Sequence, residues 1–330
     1  MKIFIIAEAG VNHNNKLHNA FKLIDKAKKV GASAVKFQVF KTENYIQKDA
    51  PLAKYQKKNS KFNNQFELIK KLELSEKSLE KIINYCKKKK IQFLASPFDL
   101  WGVDYLKKKK IPIIKIPSGE INNIPYLEKV GALRRKIILS TGMSTDKEVS
   151  NALKILKRSG TKLKNITLLQ CNTEYPTKLE DINLNVISTF KKKFKVDVGL
   201  SDHSSSTVIP SAAVAMGAKI IEKHITLNRK MPGPDHKASL EPKEFKLMVQ
   251  NIKDVLKALG SKKKKVTLSE KKNIFIARKS IVAKKNILKG EFFNYKNLTT
   301  KRPGNKTSAS KWYQLIGKRA LKNYFKDDFI

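Results

Sequence analysis

The sequence predicts an α/β fold, a (β/α)8 barrel followed by a small, mostly-β C-terminal module. Two observations carry this: apolar runs of strand length recur eight times before residue 227, most of them separated by amphipathic segments, and the pattern changes after about residue 260. No G-x-G-x-x-G follows any run, which sets aside a doubly wound open sheet. A chain of 330 residues that is 41% hydrophobic can bury a large core beside a small one.

The runs are IFIIAEAG (3–10), AVKFQVF (34–40), IQFLASPF (91–98), IIKIPSGE (113–120), KIILSTGM (136–143), ITLLQCN (166–172), DVGLSDH (197–203) and KIIEKHIT (219–226). Their β-branched and aromatic content suits strands. Between them LHNAFKLIDKAKKV, EVSNALKILKRS and SSSTVIPSAAVAMG set apolar residues three and four apart, and the small residues of the last predict a well-buried helix. A final helix over 242–258 closes a barrel domain of residues 1–260. A polar, lysine-rich linker (261–273) leads to the module at 274–330, where KSIVAKK, a turn at LKGE, FFNYKNLTTKRPG and a helix-like SKWYQLIG follow one another. So small a unit has a thin core and calls for a docking surface.

The balance of 70 Lys+Arg against 28 Asp+Glu, formally +42, raises a nucleic-acid or polyanion binder as a rival reading. Composition argues against it. Only seven of the cations are arginine, the better residue for bidentate phosphate and base contacts, and the lysines cluster at 107–110, 191–193 and 262–265 without interleaved aromatics. These are solvated lysine faces, and no specific nucleic-acid partner is expected. Cys86 and Cys171 lack any CxxC or metal-ligand spacing and read as reduced thiols. The apolar start MKIFII turns polar at Glu8, too short for a signal sequence or a membrane span, so a cytoplasmic protein without membrane association is expected.

In a barrel of this kind the active site lies at the carboxyl ends of the strands, so those ends belong together. They carry Glu8; Lys36 and Gln38; Ser96; Ser118 and Glu120; Ser140 and Thr141; Cys171, Asn172 and Thr173; Ser201, Asp202 and His203; Glu222 and His224. A lone strand-end serine commonly caps the next helix. Eight polar ends on one rim ask for more, because glutamates, lysine and histidines are costly to bury unless they meet partners or a ligand. His203 and His224 end consecutive strands, and their imidazoles can converge on one divalent metal with positions left open for water or substrate. Lys36 with Ser96, Ser118, Ser140 and Ser201 makes a cradle for phosphate or carboxylate, the alternative for Lys36 being an ion pair with Glu8 or Glu120. A carbon–carbon bond-forming, aldol-type reaction fits this set.

IIAEAGVNHNN, VKFQ, SPFD, KIPSGE, LSTGM, EYPT, GLSDH, EKHIT and GPDHKASLEP stand in the order found in the sialic acid synthase family, and KSIVAKKNILKGE with LTTKRPGN resembles its antifreeze-like (SAF) domain. The resemblance covers nearly the whole chain. It implies a TIM barrel that condenses phosphoenolpyruvate with an N-acylated mannosamine-type sugar, with release of phosphate, using a divalent metal, typically Mn2+ with Mg2+ or Co2+ as alternatives. It further implies that His203 and His224 hold the metal, which polarises the sugar aldehyde, and that Lys36, Ser96, Ser118, Ser140 and Ser201 hold phosphoenolpyruvate. Glu8, Glu120, Tyr175 and Asp235 match positions that contact the sugar or order water; Glu222, Gln38 and Thr173 join the same rim. Arg302 matches an arginine that reaches from the SAF domain into a partner's barrel, so the resemblance implies a domain-swapped homodimer. The motifs lean to the N,N'-diacetyllegionaminate branch, with N-acetylneuraminate and pseudaminate as alternative products. Two departures stand out. Asn15 occupies a slot where the family usually has glycine, and asparagine tolerates φ > 0 well. Thr173 stands where many relatives have asparagine, leaving Asn172 and Thr173 as alternatives for facing phosphoenolpyruvate.

Overall fold

In the computed structural model, which describes residues 3–53 and 62–330, eight parallel strands form one sheet. They are β1 (Phe4–Gly10), β2 (Ala34–Val39), β3 (Gln92–Pro97), β4 (Ile113–Ile116), β5 (Lys136–Ser140), β6 (Ile166–Cys171), β7 (Asp197–Asp202) and β8 (Ile220–His224). The order is β3-β2-β1-β8-β7-β6-β5-β4; β1 is hydrogen-bonded to β8, and β3 lies beside β4, so the sheet rolls into the expected barrel.

Helices clothe it: α1 (Leu17–Lys29), α2 (Gln65–Leu72), α3 (Glu76–Lys88), α4 (Leu100–Lys108), α5 (Ile124–Ala132), α6 (Asp146–Arg158), α7 (Asn185–Phe194), α8 (Ile209–Ala215) and α9 (Pro242–Leu259). Their apolar stripes explain their seats; α1 buries Ala20, Leu23, Ile24 and Ala27, three and four apart, against the outside of the sheet. Thr145 and Glu148 form a reciprocal capping box at the start of α6, satisfying donors that the helix itself leaves free. Inside the barrel Ile6, Ala34, Leu94, Ile138, Leu169 and Ile220 form a separate apolar plug with Phe4 and Ile113 packed on it.

Three local expectations are corrected. The run 113–120 is strand only to Ile116; Pro117 has no N–H to continue the ladder, and Ser118–Glu120 is a 3-10 turn. The helix read over 204–217 is confined to α8, because Ser204 and Ser206 turn their hydroxyls onto the backbone N–H groups of Ser206 and Val208. The linker at 261–273 holds most of a helix, α10 (Leu268–Ala277), started by a capping box between Thr267 and Glu270.

The chain divides into two compact units at Gly260/Ser261. In the second, β9 (Ser280–Ala283) pairs antiparallel with β10 (Leu298–Lys301), and Ile281, Ala283, Ile287, Phe293, Leu298 and Ala320 make a small core. Both cysteines are buried free thiols, and no helix among the described residues is long and apolar enough to cross a membrane.

Candidate active site

Side chains alternate along a strand, so the inward positions two residues beyond Ile6, Ala34, Leu94, Ile113, Ile138, Leu169 and Ile220, and beyond Gly199 on β7, lie one layer higher, about 7 Å toward the carboxyl ends. That layer is Glu8, Lys36, Ser96, Lys115, Ser140, Cys171, Ser201 and Glu222, all buried and all lining one cavity. The cavity encloses about 980 Å³, its open mouth included. Lys36 Nζ lies 2.6 Å from Glu8 Oε2 and 3.6 Å from Glu222 Oε2, and donates to Ser96 Oγ at 2.9 Å. Lys115 Nζ sits 3.2 Å from Glu222 Oε1, which also accepts from Ser201 Oγ at 2.9 Å. Two cations and two carboxylates thus share a water-poor floor, where each charge is tolerable because the others are there.

The protonation behaviour follows from that arrangement. Burial pushes the Glu8 carboxyl up to about 7 against the pull of Lys36. Despite equal burial, Lys115 and Lys36 draw Glu222 down to about 2. Burial likewise opposes the charge on Lys36, yet Glu222 and Glu8 hold its ammonium above the ordinary value, whereas burial wins at Lys115 and lowers it.

Above the floor, on the β6–β8 side, stand Thr173, Tyr175, His203 and His224. The two imidazole rings are centred 5.3 Å apart, tilted 56°. His203 Nδ1 is 2.5 Å from the Asn172 carbonyl, a contact that places the proton on Nδ1 and leaves the Nε2 lone pair toward Tyr175 OH, 3.3 Å away. Burial, aided by the charges of His203 and Lys36, drops His224 far below the ordinary histidine value, so its ring is neutral. His224 Nδ1 and Ser140 Oγ are buried without a hydrogen-bond partner among protein atoms. Two rings at this separation, the His224 one neutral with an orphaned nitrogen, fit a shared divalent cation; at His203, burial is outweighed by Cys171 and the Asn172 carbonyl, which raise its value, so a cation there would displace a proton. Among the described residues no group of three or more His, Cys, Asp or Glu side chains is placed to hold one, so the imidazoles would be the protein's nitrogen donors and substrate or water would complete the shell.

Register explains why the rings meet. Asp202 and Lys223 are paired across β7 and β8 and form a fully buried ion pair at 2.6 Å, one residue before His203 and His224 respectively. Asp202 therefore serves the frame and not the cavity. The first loop is fitted to the last: Asn12 Nδ2 donates to the Ile225 carbonyl and to Ser239 Oγ, and His236 bridges Thr226 Oγ1 and Asn14 Oδ1. Asn14 and Asn15 both adopt φ near +50°, as the tolerance of asparagine predicts. Gly10, at φ +49°, keeps the site open, since a Cβ there would stand 3.1 Å from Glu8 Oε1 and 3.5 Å from both Asp235 Oδ2 and His224 Cε1. Asp235 lines the mouth, its carboxyl pushed up to about 6 by burial while His203 and Lys36 pull the other way.

Of the sequence-derived site residues, Glu8, Lys36, Gln38, Ser96, Ser118, Ser140, Thr173, Tyr175, Ser201, His203, Glu222, His224 and Asp235 line this cavity. Thr173 is the one that faces it; Asn172 is tied into the turn, accepting from Glu174 N at 2.7 Å. Glu120 lies outside the lining, in the 3-10 turn after β4, where it accepts from Asn123 Nδ2 at 2.6 Å; burial raises its carboxyl. Arg302 belongs to the second unit, exposed, with Nε donating to the Ala277 carbonyl at 3.1 Å. Lys115 was missed by sequence reasoning, although a lysine between isoleucines in IIKIP carries the same signal as Lys36.

The model of the NeuB family matches residues 23–264, and that of the SAF domain matches residues 278–330. The chain is 51% identical over 330 residues to the N,N'-diacetyllegionaminic acid synthase of Campylobacter jejuni, covering 100% of this chain and 99% of that one. It is 39% identical over 326 residues to the protein of the same name from Legionella pneumophila, covering 98% and 92%. Among solved structures it resembles the N-acetylneuraminic acid synthetase of Leptospira borgpetersenii in complex with citrate, with a TM-score of 0.73 and 35% identity over 83% of this chain and 90% of that one.

Proposed function

The chain belongs to the NeuB family and carries a SAF domain, and from that premise we propose that it is a nonulosonic acid synthase that joins phosphoenolpyruvate to an N-acylated mannosamine-type sugar. The observation that carries the reading is the two-cation floor, Lys36 and Lys115 among Ser96, Ser140 and Ser201, in the same cavity as the paired imidazoles of His203 and His224. An enol phosphate with two anionic groups matches that floor: lysines and hydroxyls receive its phosphate and carboxylate, and the unpartnered Ser140 hydroxyl gains an acceptor. A divalent cation, Mn2+ in this reading, held by His203 and His224 would polarise the sugar aldehyde.

The chain's own groups do the rest. The floor holds the enol with C3 toward the aldehyde carbon, where the new carbon–carbon bond forms. Water adds at C2, and the C2–O bond to phosphate then breaks, leaving a 2-keto acid and inorganic phosphate. Glu8, with its carboxyl near 7, is suited to take the proton of that water; Asp235, near 6 at the mouth, is suited to give one to the former aldehyde oxygen. Glu222 stays ionised, and its charge opposes the loss of a proton from both lysines, holding Lys36 above its ordinary value.

The two legionaminic acid synthase relatives support 2,4-diacetamido-2,4,6-trideoxymannose as acceptor and N,N'-diacetyllegionaminate as product. The reading also includes a cytoplasmic location and a homodimer in which Arg302 of one chain completes the partner's site. The test is phosphate release from phosphoenolpyruvate with Mn2+ and a panel of hexosamine-type sugars, with products weighed by mass spectrometry. One phosphate per diacetylated nine-carbon acid is expected. A product only from N-acetylmannosamine, or a pseudaminate, would move the acceptor; no release with any sugar, together with salt-sensitive retention of nucleic acid, would replace the enzyme by the polyanion binder.

A further inference from the structure

The connection from β2 to β3, residues 40–91, is far longer than one crossover helix needs, and it builds a second apolar cluster apart from the barrel core. Phe40, Ile46, Leu68 and Ile69 are buried there with Val11 from the loop after β1, and Phe98 after β3 packs on them. The rings of Phe40, Tyr45 and Phe98 lie 5.4 to 6.3 Å from one another, which makes the cluster stiff. Part of it is also cavity wall: Val11, Tyr45, Ile46, Ile69 and Phe98 line the same space as the charged floor. The cavity is therefore two-sided. The imidazoles and Tyr175 come from the β6–β8 side, the apolar wall from the β1–β3 side, and the lining cations, Lys36 and Lys115, are both engaged at the floor.

We propose that the wall of Val11, Ile46, Ile69 and Phe98 selects the acceptor, taking the methyl at C6 of a 6-deoxy, acetamido-substituted sugar and rejecting a hydroxymethyl group there. This rests on the synthase reading above. With C1 at the imidazoles, C6 is the end of the carbon chain farthest from the reaction and reaches the opposite wall. A methyl group there buries against carbon, whereas a hydroxyl loses its water against Val11, Ile46, Ile69 and Phe98, with the Tyr45 hydroxyl and the Gln65 amide as the polar groups lining that side. Gln65 lines the same side and presents an amide donor and acceptor, the complement of an acetamido group.

The experiment compares two acceptors that differ only at C6: 2,4-diacetamido-2,4,6-trideoxymannose and its 6-hydroxy counterpart, each with phosphoenolpyruvate and Mn2+. Wild-type protein is expected to prefer the 6-deoxy sugar by about 10- to 100-fold in kcat/KM, the range one pocket methyl commands. Val11→Thr, which keeps the shape and adds a hydroxyl, and Ile69→Thr are expected to shrink that ratio about tenfold without changing KM for phosphoenolpyruvate. Phe98→Tyr is a third probe on the same wall should Ile69→Thr fail to fold. Turnover with an unselective wild type, or with a ratio that no wall substitution moves, overturns this inference and leaves the synthase reading standing. Absence of phosphate release with both sugars and with N-acetylmannosamine overturns the two together.

Discussion

The barrel interior holds two layers only two residues apart along each strand, and they obey opposite rules. The lower, Ile6, Ala34, Leu94, Ile138, Leu169 and Ile220, is carbon packed on carbon. The upper, with Glu8, Lys36, Ser96, Lys115, Ser140, Ser201 and Glu222, is among the most polar buried regions of the molecule. The same strands, twist and register serve both. The lower layer gains from dehydration alone, whereas the upper bears the desolvation of four charges that only partners and ligand offset. One layer closes the cylinder, and in the function proposed above the other is kept for chemistry.

Substitutions that cross between these rules should separate activity from stability. The largest effect belongs just above the upper layer: His203→Ala or His224→Ala is expected to lower turnover at least about a thousandfold, the scale of several kcal/mol of lost carbonyl activation, while the circular dichroism spectrum stays native. Next, Lys115→Met is expected to raise KM for phosphoenolpyruvate roughly a hundredfold, within the range for truncating a buried charged contact, as steady-state kinetics would show. In the lower layer the expectation inverts. Ile138→Ala should cost about 2–5 kcal/mol in urea unfolding yet leave kcat/KM near wild type. Activity lost in proportion to stability there would blur the distinction between the layers.

The smallest effect concerns the loops that hold the mouth. Burial pulls both His13 and His236 down to about 4, against 6.5 for a free imidazole. The unfolded chain therefore takes up their protons first. Their contribution is whole above pH 6.5 and is lost as pH falls toward 4, by up to about 1.4 kcal/mol per pH unit for each. The raised carboxyls of Glu8 and Asp235 work in the opposite sense, so the readout is the difference between wild type and His13→Gln: unfolding free energies measured at pH 7, 6 and 5 should converge as pH falls. A constant gap would mean that His13 titrates normally.

The strand-end rule made most of the floor and mouth legible, because a polar residue closing an apolar run is visible without coordinates. It failed at β4 for a definite reason. Reading the run through to Glu120 put the rim four residues too far along, when Pro117 had already ended the strand and made Lys115 the inward group of the charged layer. Glu120 consequently fell outside the cavity lining. α10 was hidden by its lysines, although Thr267-Leu-Ser-Glu270 carries a capping-box signature. The apolar wall escaped because its members come from three separate strand-to-strand connections, Ile69 from α2 within one of them, and no periodicity joins Val11, Ile69 and Phe98. Surface lysines such as Lys109, Lys129, Lys193 and Lys219 meet single carboxylates at solvent, in keeping with the solvated faces read from composition.

The central claim, that paired imidazoles above a floor of two lysines and two glutamates make one catalytic centre, is tested most directly by titrating Mn2+ into metal-depleted protein and counting bound ions by electron paramagnetic resonance. One ion per chain in wild type, lost in both His203→Ala and His224→Ala but retained in Lys115→Met, is the predicted result. Unaltered binding in the two histidine variants would contradict the account.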